Sequence, residues 1–533
     1  MMPFDEIELP PDAARTIEGL RDTGYEFLTA IADIVDNSIE AGASKIDIRV
    51  ERALDGEIEV AVGDNGSGMT EESLVNAMRY GSKARENLAS LGKFGLGLKT
   101  ASTAMCRQLT VATRSEATAP PLAARWDLDH VAATNKWMLQ RPALTHSELQ
   151  MLDDVAPGSS GTLVIWHKVD RLLPDSYKKP GGRPAANALN RQIEALRDHL
   201  SLTYVRFLDG LGAKTHVRIY LNGIEVHPWD PFGTDVGSEC LYDQEIPVFI
   251  KRPGDADVEV SFRLRAYVLP PQSELTEAQR DRARINTEFQ GFYVFRENRV
   301  ISRGGWLGMF RVEPHFNLAR IEFSFDHRLD DALHIDIKKS QIRLLADLHD
   351  FVKTEIRGSR FEAEQRYRNN ERTAIAKEGP STHDASNTMI GQKADRLSRS
   401  SVEVTGAGEA VVSNPRGQVH IEIPTLDLHA GGPHVVVRTD LDDGLLWRPG
   451  IVDAKKAVLL NAGHDFYRKV YLATKAAPVA AQGLDFLLWS LCEAELAAIT
   501  DDERDHMGFV RREVSRIVRE LSKDLPEATV DDD

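Results

Sequence analysis

Between residues 30 and 101 the chain carries three short boxes whose side chains and glycines can close on one small ligand. The first box is AIADIVDNSIEAGA, and around it Phe27, Ile31, Ile34 and Val35 recur at helical spacing, so one face of a helix is apolar. Asp33 and Asn37 are four residues apart and share the opposite side of that helix. A carboxylate one turn from a carboxamide can orient a water and help to hold a cation. The second box, VGDNGSGM, ends a strand in which Ile58, Val60 and Val62 alternate. Gly66 and Gly68, followed by Met69, let the backbone turn sharply and approach a flat ligand, while Asp64 can accept from an exocyclic amine. The third box, YGSKARENLASLGKFGLGLKTAS, sets Gly92, Gly95 and Gly97 just before an apolar helix expected from about residue 98. Free backbone N–H groups and a helix dipole there suit phosphate oxygens.

Each box alone is a weak signal. Gly92, Gly95 and Gly97 do not fit a dinucleotide fingerprint, because no strand leads into them and their spacing differs, and no GxxxxGK phosphate loop lies nearby. Helix-Asn, DxGxG and GxxGxG in this order, however, resemble the GHKL ATPases: gyrase B, the large ATP-binding heat-shock chaperones, histidine kinases and MutL. The resemblance implies ATP and Mg²⁺ as cofactors. By motif, Asn37 would bind Mg²⁺, Asp64 with Gly66, Gly68 and Met69 would read adenine, and Gly92, Gly95 and Gly97 would form a lid over the phosphates. A Gly-Thr pair completes the adenine pocket in that family, and Gly161-Thr162 opens an apolar strand here. One departure bears on catalysis. ATP-hydrolysing members carry Glu four residues before the Asn, where this chain has Asp33. A carboxylate one methylene shorter can still serve as general base, with reach as the open question.

At 533 residues the chain is expected to hold about three to four domains. Hydrophobic residues at 42% and charged residues at 28% describe ordinary globular protein, and no run of eighteen apolar residues suggests a membrane span. The acidic start has no apolar signal core, and Cys106, Cys240 and Cys492 are too scattered for a disulfide framework or zinc cluster, so a cytoplasmic location is expected. A net charge of −17 opposes non-specific nucleic-acid binding over the whole surface and still permits a local basic groove.

The expected architecture is α/β. Residues 1–175 read as the ATP-binding α+β sandwich, with strands at 45–50, 57–62, 109–113 and 161–169. Residues 70–91 are the expected lid region, and its Lys83 could touch phosphate. Residues 176–350 read as a second α/β domain, with a helix over 186–207 and strands at 216–221 and 258–268. A second domain after a GHKL domain resembles the ribosomal-S5-type transducer of gyrase B, MutL and the MORC ATPases. In such transducers a lysine reaches back to the γ-phosphate, which points to Lys339, with Lys338 as its rival. YVFRENRVI and LNGIEVHPWDPF are most similar to MORC-type proteins and their bacterial relatives. Residues 351–414 read as a charged helix followed by a Ser/Thr/Gly-rich linker, and 415–533 as a small α/β domain, a candidate for dimerisation or partner binding. It ends in two helices striped by Leu484, Leu487, Leu488 and Leu491, and by Val510, Val514, Ile517, Val518 and Leu521, a pattern usual for internal core and only sometimes for a dimer seam.

The resemblance implies an ATP-dependent clamp: a homodimer closed by nucleotide, acting on DNA, with protein partners from the same operon and a place in bacterial defence or restriction. Candidate DNA contacts are Arg282, Arg284, Arg296, Arg299 and Arg303, interleaved with acidic residues that could equally balance them. The alternative is a chaperone-like ATPase acting on a protein client. A histidine kinase is not expected, because the roughly thirty residues before the first box hold no His and leave little room for a dimerising phosphoacceptor helix, and no convincing topoisomerase or MutL-endonuclease metal motif follows residue 345.

Overall fold

The computed structural model describes residues 11–22, 24–53, 55–81, 91, 97–174, 182–210, 216–250, 258–330, 346–429, 431–439, 441, 444–473, 478–522 and 525. The chain divides into two units, 1–366 and 367–533.

The first unit opens with helices α1 (Ala13–Arg21) and α2 (Phe27–Glu40), then strands β1 (Lys45–Arg52) and β2 (Ile58–Asp64). Next come α3 (Glu71–Met78), α4 (Gly97–Met105), β3 (Cys106–Arg114), β4 (Leu122–Asp127), α5 (Leu128–Thr134), α6 (His146–Val155) and β5 (Gly161–Val169). The helices α7 (Arg183–Thr203) and α8 (Val205–Leu208) lead to β6 (Arg218–Leu221) and β7 (Ile224–Glu225). These strands form one sheet in the order β4-β3-β5-β2-β1-β6-β7, antiparallel except where β1 meets β6. β2 lies at the centre, and the two-residue period of a strand sends its side chains to opposite faces. Val60 and Val62 join the core shared with α2, α4 and α7, while Ala61 joins a second core under α6.

α2 is a helix because its apolar residues repeat every three to four positions. Phe27, Ile31, Ile34, Val35 and Ile39 are all buried, and each large aliphatic among them contributes about 1.5–3 kcal/mol of burial. It ends at Gly42, whose φ of +75° is the left-handed conformation that glycine adopts without strain.

The first sheet reaches further along the chain than the expected boundary at 175. Val217, Ile219 and Leu221 alternate into the first core, which draws β6 alongside β1, and Leu196 and Leu200 of α7 pack there too. A second sheet follows, built from β8 (Glu239–Ile250), β9 (Val258–Val268), β10 (Gly291–Arg296), β11 (Arg299–Arg303) and β12 (Ala319–Phe325), ordered β11-β10-β12-β9-β8. β10 and β11 form a hairpin through Glu297 and Asn298, both at positive φ, as a tight two-residue turn requires.

In the second unit the expected linker is a correction. The helix Arg357–Gly391 runs on into its first part, and strands Ser401–Gly406 and Glu409–Asn414 pair with Gly417–Glu422 in a three-stranded sheet. Ser/Thr/Gly composition had masked this pattern, although Ala410, Val411 and Val412 are buried. A four-stranded sheet and the helices Pro478–Leu496 and Asp501–Ser522 complete the unit. The last helix also departs from expectation. Gly508, Ser515 and Ser522, seven apart, face inward, while Val510, Val514, Ile517 and Leu521 are exposed. Ser515 is chosen for its partner: its hydroxyl accepts from the Leu446 N–H at 3.0 Å. Among the described residues no helix is long and apolar enough to cross a membrane.

Candidate functional site

The end of β2 fixes the centre of the site. Asp64 pairs in register with Thr162 of β5, and its side chain is almost fully buried. The carboxylate accepts from Ser38 Oγ at 2.8 Å and from the Gly66 N–H at 2.9 Å. Burial pushes its pKa above the usual carboxylate value, and the donors Gly66, Ser38 and Thr162 pull against that shift. Ser38 lies one residue past Asn37, on the buried side of α2, so the first box positions the second.

Thr162 and Met69 meet through Thr113 of β3, a residue that no sequence motif singled out. Thr113 Oγ1 donates to Gly161 O at 3.0 Å, accepts from the Met69 N–H at 2.9 Å, and lies 3.2 Å from Thr162 Oγ1. One hydroxyl thereby ties the glycine loop to the Gly-Thr strand.

Gly66 and Gly68 are fixed by close approach. A Cβ on Gly66 would lie 2.7 Å from Ala41 Cβ at the end of α2. Gly68 has φ of +63°, and its Cβ would stand 2.0 Å from the backbone oxygen of Arg114. Gly68→Ala should therefore cost more than about 3 kcal/mol of stability. Gly81→Ala, at φ +70° but facing open space, should cost only about 1–2 kcal/mol. Urea unfolding of both variants checks this, and equal losses would mean that the Arg114 carbonyl gives way.

Asp33 and Asn37 do share one face of α2, one turn apart, both half-buried. Asn37 Nδ2 donates to the Asp33 backbone oxygen at 2.7 Å, which orients the carboxamide. Tyr25, also missed in the sequence, donates its hydroxyl to Asp33 Oδ2 at 2.8 Å. Burial and then the Asp33 charge push the Tyr25 phenol upward, so it stays protonated and remains a donor. Gly97 opens α4 directly against this carboxylate, where a Cβ would stand 2.9 Å from Asp33 Oδ2. The first and third boxes thus converge, with the glycine start of one helix against the acid of the other. Gly92, Gly95, Lys83, Lys338 and Lys339 lie outside the described residues.

The arginines proposed for DNA fare differently from one another. Arg296 is buried in a bidentate pair with Asp330 at 2.7 and 2.8 Å, and Arg299 is buried against Asp36 at 2.7 Å. Neither can reach a phosphate backbone. Arg282, Arg284 and Arg303 are more open, each paired with a carboxylate: Asp235, Asp198 and Glu288.

Residues 25–162 match the family described as Histidine kinase-, DNA gyrase B-, and HSP90-like ATPase. This segment is a GHKL-type ATPase domain. The GHKL segment carries all three boxes and the Gly-Thr strand, and the family implies ATP binding. The chain is also similar to the human ATPase MORC2, 34% identical over 101 residues that cover 18% of this chain and 10% of the relative. Mouse ATPase MORC2B is 33% identical over the same length and shares. Human MORC family CW-type zinc finger protein 1 is 23% identical over 241 residues, covering 39% of this chain and 23% of the relative. A solved structure titled "Crystal Structure of N terminal domain of a DNA repair protein" aligns with a TM-score of 0.39 at 16% identity, over 66% of this chain and 98% of that one.

Proposed function

We propose that the chain is an ATP-hydrolysing clamp that dimerises on binding nucleotide. The observation that carries this reading is that α2 joins the two halves of the site: Asp33, beside Asn37, faces Gly97 at the start of α4, while Ser38 on the same helix donates to the buried Asp64. Asp64 would accept from the adenine amine, with Thr162 and the Gly66–Met69 loop framing the base. Asp33, held by Tyr25, would take the proton of a water attacking the terminal phosphoryl group. A carboxamide oxygen is a ligand that a hard cation accepts, so Asn37 would hold Mg²⁺ together with phosphate oxygens, and the bound cation would neutralise phosphate charge. The glycine lid at 92–97 and Lys339 would close over the γ-phosphate and report it to the second sheet. Such a switch needs a differential affinity of its open and closed states for ATP.

DNA is the substrate that the MORC similarity favours. Of the five candidate arginines, only Arg282, Arg284 and Arg303 remain available for it. Sedimentation with a non-hydrolysable ATP analogue should show a dimer that the apo chain does not form. The same dimer should retain closed-circular DNA through a salt wash and slide from linear ends, while binding weakens steeply as salt rises. A monomer with analogue bound would overturn the clamp, and a dimer that retains no DNA would replace DNA with a protein client.

A further inference from the structure

Asp36 lies between Asp33 and Asn37 in the sequence of α2, yet it is 1% exposed and its carboxylate faces Tyr204 and Arg299. Its Oδ1 accepts from Arg299 Nε at 2.7 Å and from the Tyr204 hydroxyl at 2.8 Å. The same hydroxyl is 2.7 Å from the Ala32 backbone oxygen, one turn earlier on α2. Arg299 is 263 residues away in sequence and begins β11, the edge strand of the second sheet. Tyr204 joins α7 to α8, and these helices span both layers. Leu196 and Leu200 pack in the first core, while Leu202 and Val205 pack with Tyr293, Phe295 and Val300 of the second sheet. The helix that carries the proposed base and the proposed metal ligand is thus pinned on its buried side by an arginine from the other layer.

Two physical facts make this more than packing. A buried guanidinium and carboxylate tolerate separation poorly, because each would be left desolvated without a counter-charge, so the contact tends to be made or broken as a whole. The charge of Arg299 also reaches Asp33. Burial works against that charge, but Asp36, then Tyr204, then Asp33 outweigh it and hold the guanidinium protonated. Nearby titratable groups are Tyr25, which feels the charges of Asp33 and Asp36, and His199 of α7, which burial and then Arg299 and Arg303 push down to about 3, so it is neutral.

We propose that Asp36 and Arg299 are positioning residues for ATP hydrolysis: the β10–β11 hairpin sets the register of α2, so Asp33 and Asn37 are aligned only while the hairpin is docked. The proposal rests on the assignment of Asp33 and Asn37 to the nucleotide. It makes the second layer a condition for hydrolysis through a contact distinct from any γ-phosphate lysine.

The test uses the full chain, with Arg299→Met and the double variant Asp36→Asn/Arg299→Met. In Arg299→Met, ATP affinity should change by less than about threefold while turnover falls about 10- to 100-fold, the scale of a small misplacement in an active site. The double variant removes the unpaired buried charge, so its melting temperature should recover toward wild type while turnover stays low. It also supplies a folded protein if the single variant does not fold. Recovery of both stability and turnover in the double variant, or wild-type turnover in Arg299→Met, would overturn the proposal. If the wild-type chain binds ATP without hydrolysing it, the base assignment falls instead. The coupling is then read from hydrogen exchange of residues 291–303, which ATP should protect in wild type and not in the double variant, and equal protection would overturn it.

Discussion

Asp64→Asn should remove ATP binding almost completely, with affinity falling at least about 100-fold in calorimetry. A charge-assisted hydrogen bond to the adenine amine is worth roughly 2–3 kcal/mol, and each 1.4 kcal/mol is about tenfold. The substitution also disturbs the pocket before ligand arrives. Ser38 and the Gly66 N–H both donate to this side chain, and a carboxamide turns one of its two acceptors into a donor. Melting temperature separates the two effects: a variant that stays folded and loses ATP supports the adenine assignment, whereas unchanged affinity would move the base elsewhere. The sign of the pH dependence follows from burial. The folded Asp64 pKa is raised, so this group favours folding most below its unfolded pKa and loses that contribution as pH rises through the folded value. ATP binding runs the other way, because it needs the anion. Affinity should therefore fall as pH is lowered, starting above the ordinary carboxylate range.

The parts of this site that were legible in the sequence are those made of neighbours. Asp33 with Asn37, the DxGxG loop, and the glycine before α4 are spaced by helix and turn geometry, which a sequence displays directly. The links that join the boxes were not legible. Thr113 bridges Met69 and Thr162 only because β3 pairs with β5, and Arg299 meets Asp36 only because two layers stack. A threonine in a strand or an arginine at a hairpin carries no mark of such a partner. Charge interleaving misled in the same way: Arg296 and Arg299 read as surface cations, yet each is buried against one carboxylate. In the second unit, Ser/Thr/Gly composition points to a linker where alternation builds strands. Its last helix shows that an apolar stripe at helical spacing identifies a face but not what covers it: the small residues Gly508, Ser515 and Ser522 are the buried ones, while Val510, Val514, Ile517 and Leu521 are exposed.

Asp33→Ala should keep nucleotide binding within a few-fold and lose hydrolysis by roughly two to four orders of magnitude, the usual worth of a positioned general base. At about 1.36 kcal/mol per tenfold, that is roughly 2.7–5.4 kcal/mol of transition-state stabilisation. Affinity should survive because, in the proposed arrangement, adenine would be held away from Asp33, by Asp64 and the loop that Thr113 anchors. Tyr25 holds Oδ2 at 2.8 Å, and Gly97 brings the start of α4 onto the same oxygen, closer than a Cβ would permit. If Asp33 is the base, this approach of α4 would offset the missing methylene, and Gly97→Ala should slow turnover by pushing the two apart. Asp33→Glu should stay active, since it restores the residue that hydrolysing relatives use, although Tyr25 and Gly97 must shift to accept it. The decisive comparison is single-turnover hydrolysis beside calorimetric affinity for Asp33→Ala. If binding and the chemical step both match wild type, the base is elsewhere, with Glu40 next in line because Asp36 is already committed to Arg299.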